Sequence, residues 1–221
     1  MAEINYLEPE IPAGLPNIEV PLVIATNRTL KDYGYLFDHP DQVDIEIVPW
    51  PAQGWRPVDQ GTGNQGGTTE GTFEIWWEGE QMFGRNNAVA DTYLLGWSKN
   101  PEQLNETVSS NPVRDQVLLW HANYHPDGGQ LFFPLDSQDF IIPLALPGDD
   151  IAPESFTAFH VSGGRGIYIN PNVWHEAVFP LETPCSFYGR QGKVHARVSM
   201  NFAEEFSTLL TVPLDVKKAI A

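Results

Sequence analysis

The chain has 221 residues, 42% apolar and 12% aromatic, enough to bury a core and too apolar for a disordered segment. Its formal net charge of −17 argues against nucleic acid or an anionic membrane as partner, while a local cationic pocket would still admit a small anionic substrate. Nineteen Gly and nineteen Pro favour an all-β fold; the single Cys185 cannot form an internal disulfide, and neither a leader-like start nor a run of roughly 18 apolar residues is present. A single domain over 1–221, soluble and cytoplasmic, is the expectation.

Residues 1–22 carry Pro9, Pro12, Pro16 and Pro21, which rules out a helix and predicts an extended arm lying on the domain or on a second subunit. L-V-I-A at 22–25 predicts a short strand, and a helix follows over about 27–33, with Thr26 or Asn27 as its cap and Gly34 as its stop. D-I-E-I-V-P-W-P at 44–51 reads as a strand ended by prolines. Residues 51–72 are a glycine-rich insertion with Gly54, Gly61, Gly63, Gly66, Gly67 and Gly71. No G-x-x-x-x-G-K-[ST] occurs there, and no strand–helix context surrounds the glycines, so a mobile loop or lid is expected rather than a phosphate cradle.

T-F-E-I-W-W-E-G-E at 72–80 alternates, placing Phe73, Ile75 and Trp77 on one face and Glu74, Trp76 and Glu78 on the other. Pointing inward, Glu74 and Glu78 would be acid–base groups or metal ligands; the plainer reading leaves both in water. D-T-Y-L-L-G-W at 91–97 predicts another strand, and a short helix or turn is expected near 100–108 with Pro101 at its start.

From His121 to His175 four short apolar strands alternate with Pro, Gly and Asp, the pattern of a compact antiparallel sheet closing into a barrel. Four of the six histidines lie in this stretch, and His195 follows on the next strand-like run. Period-two alternation puts His121, Asn123 and His125 on one face. The competing reading, for His121 and His160 in particular, is a polar strand face turned to water. His125, Gln130 and His175 sit beside turn signals at strand ends, where sites tend to be built. In K-V-H-A-R-V-S-M-N-F at 193–202, His195, Arg197, Ser199 and Asn201 share a polar face opposite Val194, Ala196, Val198, Met200 and Phe202. A helix near 203–210 ends before Pro213.

Two chemical arrangements fit these residues. In one, His125 and His175 hold a divalent metal (Ni, Mn, Fe or Zn) together with Gln130 or another group. H-x-x-x-H is not the usual metal-binding cupin spacing, and Gln is a weaker ligand than Glu. In the other no metal is needed: His125 and His175 act directly as acid and base, with Gln130 orienting them.

H-P-D-G-G-Q-L-F-F-P, then A-L-P-G-D-D, F-H-V-S-G-G-R-G-I and N-V-W-H, resembles the ureidoglycolate lyase family in order and spacing over about residues 121–180. L-K-D-Y-G-Y-L-F also resembles the family's N-terminal F-x-x-Y-G-D-V-I, with Tyr35 in place of its Asp. The resemblance implies a cupin-like antiparallel β-barrel (jelly roll) with a few short helices, commonly as a homodimer. It implies cleavage of ureidoglycolate to glyoxylate and urea, the last carbon–nitrogen cleavage of allantoin breakdown. The chain departs from the family at Asn123 and Tyr124, where members often carry Glu-Arg, at Asn170, where some have His, and in the 51–72 insertion. Abstracting the carbinol proton and protonating the departing nitrogen requires a base, an acid and a carboxylate anchor. The expected catalytic residues are His125, His175 and Gln130; the expected substrate contacts are Arg197, His195, His121 and Trp174, with Arg165 and Arg85 as other anchors. Two alternatives accompany this expectation: a same-fold lyase or hydrolase acting on another small hydroxy or amino acid derivative, and a non-catalytic cupin-like binding module.

Overall fold

A computed structural model describes residues 5–48, 54–60, 67–104, 112–193 and 196–220. Among them are seventeen strands. The first nine are β1 (Asn17–Glu19), β2 (Leu22–Ile24), β3 (Gly34–Phe37), β4 (Thr68–Glu78), β5 (Gln81–Asn86), β6 (Asp91–Trp97), β7 (Gln116–Leu119), β8 (His121–Tyr124) and β9 (Gln130–Pro134). Then follow β10 (Phe140–Ala145), β11 (Thr157–Val161), β12 (Gly166–Ile169), β13 (Trp174–His175), β14 (Phe179–Pro180), β15 (Cys185–Gly192), β16 (Val198–Asn201) and β17 (Leu209–Pro213). One α-helix is described, α1 (Phe202–Phe206).

The fold is all-β and cupin-like. One sheet runs β1-β17-β7-β6-β5-β4-β15-β9-β12-β3, the other β16-β8-β13-β10-β11-β2, with β14 also paired to β10. No ladder among the described residues joins the two into a closed barrel; they pack face to face. Phe73, Ile75, Leu119, Phe132 and Phe187 from the first meet Ala122, Ile141, Leu144, Ala158 and Met200 from the second in one buried cluster. Each fully buried Leu, Ile or Phe contributes about 1.5–3 kcal/mol relative to exposure. The sheets are mixed rather than purely antiparallel, because the arm region supplies two parallel pairs, β1 with β17 and β2 with β11.

Several expected elements differ. Residues 27–33 form successive turns and no helix: Leu30 N–H donates to Thr26 O and Gly34 N–H to Leu30 O, without propagation. Thr29 Oγ1 donates back to Ile24 O, and Thr29 N–H donates to Thr26 Oγ1, so side chains compete for the first turn. Near 100–108 only a 3-10 turn, Pro101–Gln103, is present before residues 105–111, which lie outside the described residues. The final helix is α1 alone; Ser207 stops it at φ 52, and Leu209 and Leu210 enter β17 because they bury against the core. The 44–51 strand reduces to a single bridge between Ile47 and Gly128, with 49–51 outside the described residues. Of the glycine-rich stretch, 51–53 and 61–66 are outside the description, whereas 68–72 already belong to β4 and pair with β15. Glu74 forms an ion pair with Arg85, and Glu78 accepts from Trp76 Nε1 at 2.8 Å, so both sit on the solvated face.

Candidate active site

Alternation along β8 turns His121, Asn123 and then His125 into a pocket, while Ala122 points into the core. β13 pairs with β8 so that His175 lies opposite Asn123. Gln130, the first residue of β9, has Ile169 and Gln191 as its cross-strand neighbours. Gly129 just before it has no room for a side chain, since a Cβ there would meet Tyr168 Oη. The pocket has about 500 Å³ of free space, part of it open to solvent, and Tyr6, Asn86, Tyr93 and Arg197 complete its polar lining.

Three groups converge at its floor. His125 Nε2 lies 3.0 Å and His175 Nε2 2.9 Å from the same atom, Gln130 Oε1, and the two rings are 5.1 Å apart. Each Nδ1 faces a backbone carbonyl, Ala196 O at 2.9 Å and Val173 O at 2.7 Å. A carbonyl only accepts, so Nδ1 carries the proton in both rings and each Nε2 turns a lone pair toward Gln130. The amide does not turn to meet them. Ala88 N–H donates to Asn86 Oδ1, Asn86 Nδ2 faces Gln191 Oε1 at 3.4 Å, and Gln130 Nε2 donates to that same Gln191 oxygen at 3.0 Å. This relay, anchored on a backbone donor, fixes Gln130 with its oxygen toward the imidazoles.

Two imidazole lone pairs, each within 3.0 Å of the same amide oxygen, call for a positive charge between them. Protonation is the poor solution. Burial holds the proton affinity of His125 below the usual histidine value, and burial plus the charge of His125 pushes His175 down to about 3. A divalent cation fits the donor set better: two imidazole nitrogens and an amide oxygen, with both imidazoles oriented from behind by carbonyls. The third ligand would be an amide; among the described residues no group of three His, Cys, Asp or Glu is placed to hold a metal.

Other expected residues fall as follows. His121 lines the pocket and faces Glu176, its Nδ1 2.8 Å from Oε2. Arg197 lines it too, its guanidinium 4.6 Å from the Tyr6 ring centre and within 3.7 Å of Asp59 and 3.9 Å of Asp91. His195 lies outside the described residues. Trp174 is not in the pocket: next to His175 on a strand it points the opposite way, fully buried, edge-on to Tyr124 and donating Nε1–H to Gly148 O. Arg85 is spent on Glu74 at the surface, Arg165 is away from the pocket lining, and His160 pairs with Asp139 at 2.8 Å. The G-D-D turn has a structural task. Asp149 accepts from Tyr124 Oη and from Arg56 N–H, tying part of the glycine-rich stretch to β8. Of the three substituted positions, Tyr124 bonds Asp149 and neither it nor Asn170 lines the pocket, whereas Asn123 does.

Sequence reasoning missed Asn86, Gln191, Glu176, Tyr6, Tyr93 and Asp127. Glu176 and Asp127 had a signal, one directly following V-W-H and the other inside H-P-D-G-G-Q; the others come from strands or the arm and gather only in the folded chain. Asp127 is buried beside His125; desolvation raises its carboxyl and the charge of His125 opposes the rise.

A sequence profile described as Ureidoglycolate lyase matches residues 87–207, more than half of the chain. Proteins named ureidoglycolate lyase from Salmonella typhimurium, Salmonella enteritidis and Salmonella paratyphi B are each 28% identical over 135 residues, 59% of this chain and 81% of theirs. The profile match covers the pocket strands β8, β9, β13, β15 and β16, and with it this chain belongs to the ureidoglycolate lyase family.

Proposed function

We propose that the protein is a lyase that splits ureidoglycolate into glyoxylate and urea. The observation that carries the reading is the convergence of His125, His175 and Gln130 on one point of a pocket that also holds Arg197, in a chain of this family. Arg197 supplies the cationic anchor for the substrate carboxylate, within a chain whose net charge is otherwise −17. His125 Nε2, His175 Nε2 and Gln130 Oε1 are the atoms that would hold a divalent cation (Ni, Mn, Fe or Zn). Such an ion, when bound, polarises a substrate oxygen as a Lewis acid. The chain's own part is to keep both imidazoles neutral by burial, with their lone pairs inward, and to wall the pocket against bulk water with Tyr6 and the buried Trp120.

A second reading, direct acid–base catalysis by His125 and His175 without a metal, rests on their place in the pocket and runs against their lowered proton affinity. A single domain acting as a cytoplasmic homodimer completes the proposal, on the family resemblance; no described helix is long and apolar enough to cross a membrane. The test is urea release from each enantiomer of ureidoglycolate, with chelator and after return of single divalent ions. Activity lost in chelator and restored by one ion supports the cation reading, and activity indifferent to chelator supports the direct one. No urea from either enantiomer in metal-replete protein refutes the lyase reading and leaves a same-fold enzyme for another hydroxy acid derivative, with Asn123 as the altered contact.

A further inference from the structure

The pocket contains a second arrangement that the cluster at its floor does not use. His121 Nδ1 lies 2.8 Å from Glu176 Oε2, and a carboxylate only accepts, so Nδ1 carries a proton and in the neutral ring Nε2 carries the lone pair. That Nε2 is buried, has no hydrogen-bond partner among the described residues and belongs to a residue lining the pocket. An unpaired buried acceptor costs about 1–3 kcal/mol, so its retention calls for a partner that arrives with the ligand. The ring is held on both sides, edge-on to Tyr6 at 5.2 Å and against Trp120 at 5.1 Å. Glu176 is itself fixed, since its other oxygen accepts from Ala177 N–H at 3.2 Å. An imidazole with one nitrogen on an oriented carboxylate and the other on the substrate is the geometry of a general base.

Its place along the strand fits that task. His121 opens β8 and His125 directly follows its last residue, four positions apart and about 13 Å along the backbone at roughly 3.3 Å per residue. Asn123 lies between them, its Oδ1 without a partner among the described residues. A molecule seated over Asn123 therefore has His125, His175 and Gln130 at one end and His121 at the other.

We infer that His121 is the proton carrier of this pocket and that Glu176 is its positioning residue. The inference rests on the lyase reading above. His121 Nε2 takes the proton of the carbinol hydroxyl. The oxygen pair becomes the aldehyde C=O, the carbon–nitrogen bond breaks with its electrons going to nitrogen, and His121 returns the same proton to that nitrogen as urea leaves. One proton moves from oxygen to nitrogen, nothing is oxidised or reduced, and no co-reactant is consumed.

The test is urea release by His121→Ala, Glu176→Ala and Glu176→Gln beside the wild type, each loaded with the divalent ion that best supports wild-type activity. For His121→Ala a fall in kcat of at least about 100-fold is expected, as for a lost general base, with KM within about threefold. Added imidazole restores at least about tenfold of that loss, which a merely structural histidine would not allow. Glu176→Ala lowers kcat about tenfold, and Glu176→Gln, whose amide oxygen still accepts from Nδ1–H, recovers part of it. Circular dichroism reports folding, and if His121→Ala does not fold, His121→Gln carries the same kinetic test. An active wild type whose His121 variant turns over within threefold overturns the assignment while leaving the lyase reading standing; so does a rise in KM at unchanged kcat. A wild type that releases no urea overturns both.

Discussion

Replacing Gln191 with leucine tests whether the amide relay sets the direction of Gln130. In the native structure Gln191 Oε1 accepts from Gln130 Nε2 at 3.0 Å and faces Asn86 Nδ2 at 3.4 Å, and the residue is 2% exposed. Leucine is close in volume, so the site stays filled, but Gln130 loses its acceptor and Asn86 loses a longer contact. A buried donor left unsatisfied costs about 1–3 kcal/mol, and most of this falls on Gln130 because the Asn86 bond is near the limit of hydrogen bonding. Freed from the relay, the Gln130 amide turns its NH₂ toward the two imidazole lone pairs, which removes the oxygen from the cation position and leaves that oxygen facing the leucine without a donor. Divalent affinity then falls about 10–100-fold, the usual effect of losing an outer-shell partner, and kcat/KM at fixed metal concentration falls with it. Urea denaturation in chelator measures the first effect, and calorimetric titration with Ni²⁺ or Zn²⁺ the second. A variant that loses 1–3 kcal/mol yet binds the ion with native affinity would refute the idea that Gln191 directs Gln130. Native stability with lost affinity would point instead to a local change in the pocket shape.

Three further outcomes follow from the same geometry. Arg197→Met should raise KM for the anionic substrate at least about tenfold with a smaller change in kcat, since a hydrogen bond to a charged group is worth about 1.5–3 kcal/mol; an unchanged KM in steady-state kinetics would remove Arg197 as the anchor. In chelator-treated protein His175 must stay neutral when folded, its folded value near 3 against an ordinary 6.5, so the unfolded chain takes up the proton first as pH falls. Stability is then complete above pH 6.5 and declines on the acid side, by about 2 kcal/mol between pH 6.5 and 5 for this group alone; a denaturation series in which His175→Asn shows the same slope would contradict it. Burial pushes the Cys185 thiol up to about 11, so a thiol reagent at pH 8 should label it only as fast as the protein unfolds; rapid labelling of native protein would show the strand open.

The strands of the 121–175 stretch were legible where sequence periodicity and turn chemistry agree. β8, β10, β11 and β12 each show a short apolar run between Pro, Gly or Asp, and the shared face of His121, Asn123 and His125 follows from period two alone. His125, Gln130 and His175 were found for the same reason, each at the end of such a run. The relay was not legible. Gln191 meets Gln130 only because β15 pairs with β9 in one register, and Asn86 reaches Gln191 across sheet neighbours more than a hundred residues apart. β5 and β15 were hidden because Gly84, Gly189 and charged residues interrupt their alternation, although pairing on both edges makes them strands. Trp174 was misplaced by one residue of the same periodicity that placed His175.

The parallel pairing of β1 with β17, and the bridge from Val23 to Ile220, sets an order of events in synthesis. Thr208 Oγ1 donates to Pro16 O across 192 residues of chain, a contact of extreme sequence separation. Such contacts repay their loop-closure entropy last and slow folding. While a nascent chain emerges from the ribosome, residues 17–19 therefore wait without their strand partner until 209–211 are made, and 22–24 wait for 158–160, leaving strand edges uncovered for most of translation. Nascent chains stopped before residue 209 should bind chaperones and resist proteolysis poorly even though every pocket residue named above has already been synthesised.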